Sequence, residues 1–141
     1  MIKNNMKKIP TNGMSHERLQ VALLDVQDRL DRASIPFVVL DYTAEQIRQE
    51  LPHLTLDKIS IGVERKHLTN TCFSILKGLI PKLEVKGNTL YYEVNSVPIV
   101  IRIIERHYKV LERPDVRFYY LGEFRIPNPF DKYWKIKDFL A

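Results

Sequence analysis

The chain has little of the chemistry on which many enzymes and metalloproteins depend. Its 141 residues include one cysteine, Cys72, which excludes an internal disulfide and a cysteine-based metal site. No two of the four histidines have the i, i+4 spacing that places two zinc ligands on one face of a helix. The serines show neither a nucleophile elbow nor a partner histidine. We therefore expect Cys72 to be a small buried hydrophobic residue, and the histidines to lie at the surface.

Long apolar runs and clustered charges are missing too. No stretch approaches the roughly 20 apolar residues of a membrane helix. Residues 1–13 carry positive charge without the apolar core of a secretory signal. We expect a flexible arm over residues 1–13, a single domain over 14–141 and a cytoplasmic location. The net charge of +5, from 22 basic and 17 acidic residues, permits an anionic partner but is too scattered to predict one.

Apolar residues recur with a helical period in the first half of the chain and with a strand period in the second. The predicted elements are a helix over 14–33, a strand over 36–42, a helix over 43–51, a strand over 58–64, a helix over 68–79, strands over 82–86, 89–95 and 97–105, a pair of strands within 118–126, and a helix over 131–140. This order predicts an α+β fold in which the helices pack on one face of a mixed β-sheet.

Local signals define several boundaries. Ser15 is placed as the N-cap of the first helix, and Thr43 to Gln46 has the pattern of a capping box for the second. Gly87-Asn88 predicts a tight hairpin, and Asn95-Ser96 predicts another turn. The strand over 97–105 is apolar almost throughout, so we expect it to be covered on both faces, with Arg102 as the exception.

Four stretches of sequence carry a family resemblance. They are IPFVVLD at 35–41, DKISIGV at 57–63, IVIRI at 99–103 and IPNPFDKYW at 126–134. In this order they resemble the nucleotidyltransferase superfamily, which has the DNA-polymerase-β-like fold, and within it the LicD-type phosphocholine transferases and related small bacterial nucleotidyltransferases. The resemblance implies that two aspartates of the second strand and one of a later strand hold two magnesium ions. Those ions offset triphosphate charge and activate the attacking hydroxyl.

The residues that depart from this pattern are those that would bind metal and phosphate. The paired aspartate positions hold Lys58 and Ser60, and the third holds Arg102. The glycine pair that would contact phosphate after the first strand is replaced, because Asp41 is followed by Tyr42-Thr43. A cation a few ångströms away repels a divalent metal by more than about 1 kcal/mol. We therefore expect that two-metal catalysis has been lost.

The main hypothesis is a catalytically degenerate nucleotidyltransferase-fold protein that acts as a binding or assembly module. Its partner would be a nucleotide, a nucleic acid or a protein, and the chain would be a subunit of a larger bacterial or phage assembly without a cofactor. The candidate phosphate or nucleic-acid contacts are Lys58, Ser60, Arg65 and Arg102. In the structural alternative, Arg102 pairs with a neighbouring acid such as Glu93 or Glu64.

The alternative hypothesis is an active, divergent nucleotidyltransferase. It would hold magnesium and a nucleoside triphosphate with carboxylates recruited from the strand ends, namely Asp41, Asp57 and Glu64. We expect the ends of the first two strands, Asp41 and Glu64, to lie near one edge of the sheet. Convergence of the three carboxylates in the fold would favour this hypothesis. If these residues have only structural roles instead, Asp57 caps a turn and Glu64 is a solvated strand end.

Aromatic residues are concentrated near the end of the sequence, where nine of the fourteen follow residue 107. In a strand, Phe118 and Tyr120 face one way and Tyr119 the other. Together with Tyr133 and Trp134, these residues either pack a terminal helix onto the sheet or, interleaved with basic residues, contact bases or a protein partner. We expect core packing.

Overall fold

The computed structural model describes residues 15–49, 57–105, 114–119 and 122–127. The helices are α1 His16–Arg32, α2 Asp41–Gln49 and α3 Asn70–Leu79, with a short 3-10 helix Arg65–His67. The strands are β1 Val38–Val39, β2 Ile59–Glu64, β3 Glu84–Lys86, β4 Thr89–Val94, β5 Val97–Ile104, β6 Asp115–Tyr119 and β7 Gly122–Ile126. The predicted α+β class is confirmed, with a mixed sheet of five strands.

The helix boundaries follow from side-chain caps at two of the three helices. The hydroxyl of Ser15 accepts the N–H of Arg18 at 3.1 Å, as predicted. The hydroxyl of Thr69 accepts the N–H of Cys72 at 3.2 Å, so α3 begins at Asn70. The prediction of a capping box at Thr43 was wrong. Helix α2 begins two residues earlier, at Asp41, because the buried Thr43 hydroxyl accepts the N–H of Ser60 in β2 instead of capping its own helix.

Strand β2 lies between β1 and β5 in the sheet, whose strand order is β1-β2-β5-β4-β3. It runs parallel to β5 and antiparallel to β1, while β5, β4 and β3 form an antiparallel meander. The expectation that Asp41 and Glu64 lie near one edge was wrong. Because β1 and β2 are antiparallel, the end of β1 lies beside the start of β2. The backbone bond from Leu40 N–H to the Ser60 carbonyl, 2.9 Å long, fixes this arrangement.

Both predicted turns of the meander are present. Gly87 has φ +58°, which glycine adopts without steric cost, in the hairpin between β3 and β4. Asn95 and Ser96 have φ +49° and +67°, the pair of positive values that a type I′ turn requires between β4 and β5. Strand β5 is buried along its length except at Pro98 and Arg102, which are half-buried, in agreement with the sequence pattern.

The main core lies on one face of the sheet. The apolar stripe of α1 packs there together with Leu76 of α3 and the inward side chains of the strands. The principal strand residues of this core are Val39, Ile59, Ile61, Val63, Leu90, Ile99, Ile101 and Ile103. Cys72 packs partly buried at its margin, beside Phe73. Burial of these side chains supplies the main driving force for folding, at about 25 cal/mol per Å² of apolar surface.

Strands β6 and β7 form a separate hairpin that contacts β1. The strand alternation predicted for this segment holds, because Tyr119 is buried and Phe118 is 70% exposed. The expected core packing therefore applies to Tyr119 and not to Phe118. The arm over 1–13, the terminal helix over 131–140 and the aromatic residues Tyr120, Tyr133 and Trp134 lie outside the described residues. No described helix has the length and apolar character needed to cross a membrane.

Candidate functional site

The sequence positions singled out by the family resemblance meet on the face of the sheet opposite the main core. Ser60 and Gly62 alternate with the core residues of β2, so they lie on the face of the sheet that is turned away from α1. Arg102 lies on the same face of β5, directly beside Gly62. Lys58 immediately precedes β2, two residues before Ser60, and is exposed.

Arg102 and Asp41 form an ion pair across β2. The Arg102 Nη2 and Asp41 Oδ2 atoms are 3.9 Å apart, although β2 separates β1 from β5. The two β2 residues on this face, Ser60 and Gly62, are small, and Leu40 and Ile104 occupy the space over Gly62. A Cβ atom at Gly62 would lie 2.8 Å from Leu40 Cδ1, so this position has no space for a larger residue unless Leu40 shifts.

This ion pair is partly buried and incompletely satisfied. The Asp41 side chain is 11% exposed and that of Arg102 is 24% exposed. Their separation is too long for a hydrogen bond, so the attraction is coulombic. Asp41 Oδ1 and Arg102 Nε are buried and have no hydrogen-bond partner among the described residues, and Asp41 has φ +56°. Aspartate tolerates the left-handed region better than most residues, but strain beside unsatisfied buried atoms is a feature that concentrates at functional sites.

The four candidate phosphate contacts do not form one cationic site. The acid beside Arg102 is Asp41, and not Glu93 or Glu64 as the sequence suggested. Ser60 is 2% exposed, and its N–H is engaged by Thr43. Of the four, only Lys58 is both cationic and without an ion-pair partner among the described residues.

Arg65 lies at the opposite end of β2 from Lys58 and has partners of its own. Its Nη2 donates to Glu105 Oε2 at 2.7 Å and to Asn88 Oδ1 at 3.1 Å. The hydrogen bond to Glu105 raises the pKa of Arg65 and lowers the pKa of the Glu105 carboxyl. The fold therefore separates Arg65 from Ser60 and Arg102, which it brings together with Asp41.

The carboxylates proposed for a displaced magnesium site do not converge. Asp57 and Glu64 flank the two ends of β2, and seven residues of extended chain span roughly 23 Å. The Glu64 Oε1 and His67 Nε2 atoms are instead 3.7 Å apart. No group of three or more histidine, cysteine, aspartate or glutamate side chains in the described ranges could hold a metal ion. Since magnesium requires oxygen ligands and Arg102 faces Asp41, the residues present do not fit a two-magnesium centre.

Sequence reasoning did not find a second polar cluster, which is partly buried. The hydroxyl of Tyr92 donates to Asp25 Oδ2 at 3.1 Å, and Arg29 Nε donates to the same oxygen at 2.8 Å. Arg29 also donates to the Leu79 carbonyl, and its guanidinium lies 5.8 Å from the centre of the Tyr92 ring. Burial, followed by the nearby Asp25 charge, raises the pKa of Tyr92. The i, i+4 spacing of Asp25 and Arg29 was a readable signal, but the third partner comes from a distant strand.

A small cavity of about 130 Å³ opens between β1, β2 and β7. Its lining combines apolar side chains with three ionisable ones, Glu64, His67 and Arg125. Neither Asp41 nor Arg102 contributes to it. The ion pair across β2 is therefore separate from this cavity.

Comparison with known proteins adds no family assignment. No protein-family model matches the chain, and no curated protein matches it. The relationship to nucleotidyltransferases is thus a prediction from sequence, and the function has to be inferred from the site itself.

Proposed function

We propose that this protein is a binding or assembly module on a nucleotidyltransferase-like scaffold and does not transfer nucleotidyl groups. The observation that carries the proposal is the Arg102–Asp41 ion pair, 3.9 Å long, in which Arg102 occupies one of the three positions where the resemblance implies a metal-binding carboxylate. In this arrangement the Asp41 carboxylate balances the Arg102 charge and is not available to a cation. An internal charge pair takes the place of the metal chemistry.

A protein partner is favoured over a phosphate-containing one. A phosphate site needs cations whose charge is not already balanced, since affinity for phosphate comes from charge-assisted hydrogen bonds. Arg102 faces Asp41 and Arg65 is held by Glu105. Lys58 by itself supplies one exposed charge, which provides little affinity at physiological ionic strength. The module is therefore proposed to recognise another protein.

The absence of catalysis is tested by nucleotide incorporation. The full-length protein would be incubated with magnesium, labelled ATP, CTP, GTP or UTP, and RNA and protein acceptors. We expect no incorporation above that of a heat-inactivated sample. Incorporation that is lost in Asp41→Asn or Asp57→Asn, and retained in the exposed-site control Asp28→Asn, would instead establish an enzyme and overturn the proposal.

The choice of partner class is tested by oligonucleotide binding at increasing salt. Phosphate contacts release counterions, so genuine binding weakens linearly on a log–log plot of affinity against salt. We expect only weak binding, with little change in Lys58→Ala. Tight, salt-sensitive binding that Lys58→Ala or Arg102→Met reduces, and that the control Lys77→Ala leaves intact, would favour a nucleic-acid partner.

A further inference from the structure

One edge of the five-stranded sheet is only half covered. Strand β3 is three residues long and pairs with Thr89 to Tyr91 of β4. The remaining part of β4, from Tyr92 to Val94, has no strand neighbour on that side within the described residues. The opposite edge strand, β1, is contacted by the β6–β7 hairpin.

The register identifies which backbone groups point outward at this edge. The N–H of Ile103 donates to the Asn88 carbonyl at 2.7 Å, which makes these two residues a hydrogen-bonded pair of the β4–β5 ladder. Hydrogen-bonded pairs alternate in an antiparallel ladder, so Tyr92 also points its backbone toward β5, and Tyr91 and Glu93 point theirs away. Strand β3 pairs with Tyr91. The N–H and C=O of Glu93 have no backbone partner among the described residues.

A groove lies along this open edge. Its volume is about 730 Å³, within the range of about 300–1,000 Å³ that is typical of ligand sites. Tyr91, Glu93 and Pro98 line it from one face of the sheet, and Tyr92 and Ile80 line it from the other. Because both faces contribute, the groove is centred on the edge of β4 and not on either face.

The wall of the groove is held by side-chain hydrogen bonds on the core side. Tyr92 is bonded through its hydroxyl to Asp25, which also accepts a hydrogen bond from Arg29. Arg29 in turn donates to the Leu79 carbonyl near the end of α3. A wall that is ordered before binding lowers the entropic cost of association.

We propose that this groove binds an extended peptide segment of a partner protein, which adds to the sheet as a strand beside Glu93. The inference deepens the proposed role as a protein-binding module and rests on it. Strand addition matches the free backbone donor and acceptor of Glu93, which side-chain or nucleotide contacts would not satisfy as a pair. The groove is lined from both faces of the sheet, so it contacts the peptide side chains that point to each face and selects among them.

The side chains of the groove specify the peptide. The peptide residue opposite Glu93 faces the same side as the glutamate, so a lysine or arginine there forms a favourable cross-strand pair. Its two neighbours face the opposite side, where Ile80, Pro81 and Tyr92 provide apolar contacts. The preferred segment is therefore a basic residue between two apolar residues, in an extended sequence without proline at the centre.

The proposal is tested by selecting binders from a random heptapeptide display library on the full-length protein. We expect enrichment of peptides with a basic residue between two apolar residues, and their affinity is then measured with fluorescein-labelled synthetic copies. Glu93→Pro removes the outward N–H without removing a bond to β5, so it should weaken binding about ten-fold or more. The matched control Glu93→Ala keeps the backbone N–H and should lose only the cross-strand pair, about three-fold.

A second arm does not depend on the folding of Glu93→Pro, which thermal unfolding would check. N-methylation of the central basic residue of an enriched peptide removes the donor that pairs with the Glu93 carbonyl, and should reduce affinity to a similar extent. No enrichment of alternating peptides, or enriched peptides that bind equally well after N-methylation, would overturn the edge-strand site. Neither result affects the incorporation assay, so the two proposals can fail separately.

Discussion

The two faces of β2 differ in composition over only six residues. Ile59, Ile61 and Val63 on one face are at most 1% exposed and pack into the main core. Ser60 and Gly62 on the other face are small, Leu40 and Ile104 lie over Gly62, and the Arg102–Asp41 pair joins elements on either side of β2. Both faces are buried, so burial does not separate structure from function in this strand. The distinguishing feature is that one face is filled by its own side chains and the other by side chains from neighbouring strands.

The largest effect should come from creating a cavity on the core face. Ile61→Ala removes a fully buried side chain and should lower the free energy of unfolding by about 2–5 kcal/mol, measured by urea denaturation. The same substitution at Ile75, which is 43% exposed on α3, should change it by about 0.5 kcal/mol or less. Equal effects at the two sites would contradict the assignment of the core face.

Breaking the ion pair on the opposite face should have the next largest effect. Asp41→Asn keeps a residue that tolerates positive φ but leaves Arg102 without a counter-charge, and should cost about 1–3 kcal/mol of unfolding free energy. Arg102→Met should cost a similar amount. The double variant should be less destabilised than the sum of the two, with a coupling of at least about 0.5 kcal/mol in a double-mutant cycle. Strict additivity would mean that the two side chains do not interact.

Removal of the Tyr92 hydroxyl, a polar group on the core face of the sheet, should have a smaller effect on stability that depends on pH. Tyr92→Phe removes the hydrogen bond to Asp25 and should cost about 0.5–1.5 kcal/mol at pH 7. The folded state raises the pKa of Tyr92, so its contribution is present below the ordinary tyrosine pKa of about 10 and is lost as pH rises above it. Unfolding measured between pH 8 and 11 should therefore show a steeper loss of stability in the wild type than in Tyr92→Phe. Parallel curves would argue against the buried, neutral phenol.

The smallest effect belongs to the exposed pair at the far end of β2. Glu105→Gln should shift the thermal midpoint only slightly at pH 7, and the shift should disappear in high salt because exposed charges are screened. The pKa of Glu105 is lowered in the folded state, so its contribution is present above the ordinary glutamate pKa and is lost as pH falls. A large shift that is insensitive to salt would contradict the exposed position of this pair.

Much of the fold was predictable because its signals are local. Ser15 caps α1, the hairpin forms at Gly87-Asn88, and β5 is covered on both faces except at Pro98 and Arg102. Each of these features depends on residues adjacent in sequence or on the periodicity of one segment. The start of α2 was mispredicted for the opposite reason, since Thr43 bonds to Ser60, seventeen residues away.

The candidate site shows the same contrast between local sequence signals and contacts of distant residues. The family resemblance predicts that Lys58, Ser60 and Arg102 occupy metal-binding positions, and the sequence also places Asp41 after the first strand. It did not indicate that Asp41 faces Arg102, because that contact depends on the antiparallel pairing of β1 with β2. The expected acids, Glu93 and Glu64, lie on β4 and β2, the two strands that flank β5. The acid that the structure pairs with Arg102 is neither of them.

The sequence by itself determined the α+β class, most element boundaries and the presence of Lys58, Ser60 and Arg102 in or next to two of the strands. Only the tertiary structure decided the direction of β1, the ion pair across β2 and the open edge at Glu93. The physical reason is that helix caps, turns and apolar periods are properties of neighbouring residues. Pairing of distant strands is chosen by the packing of the whole sheet, and the polar contacts across it follow from that choice.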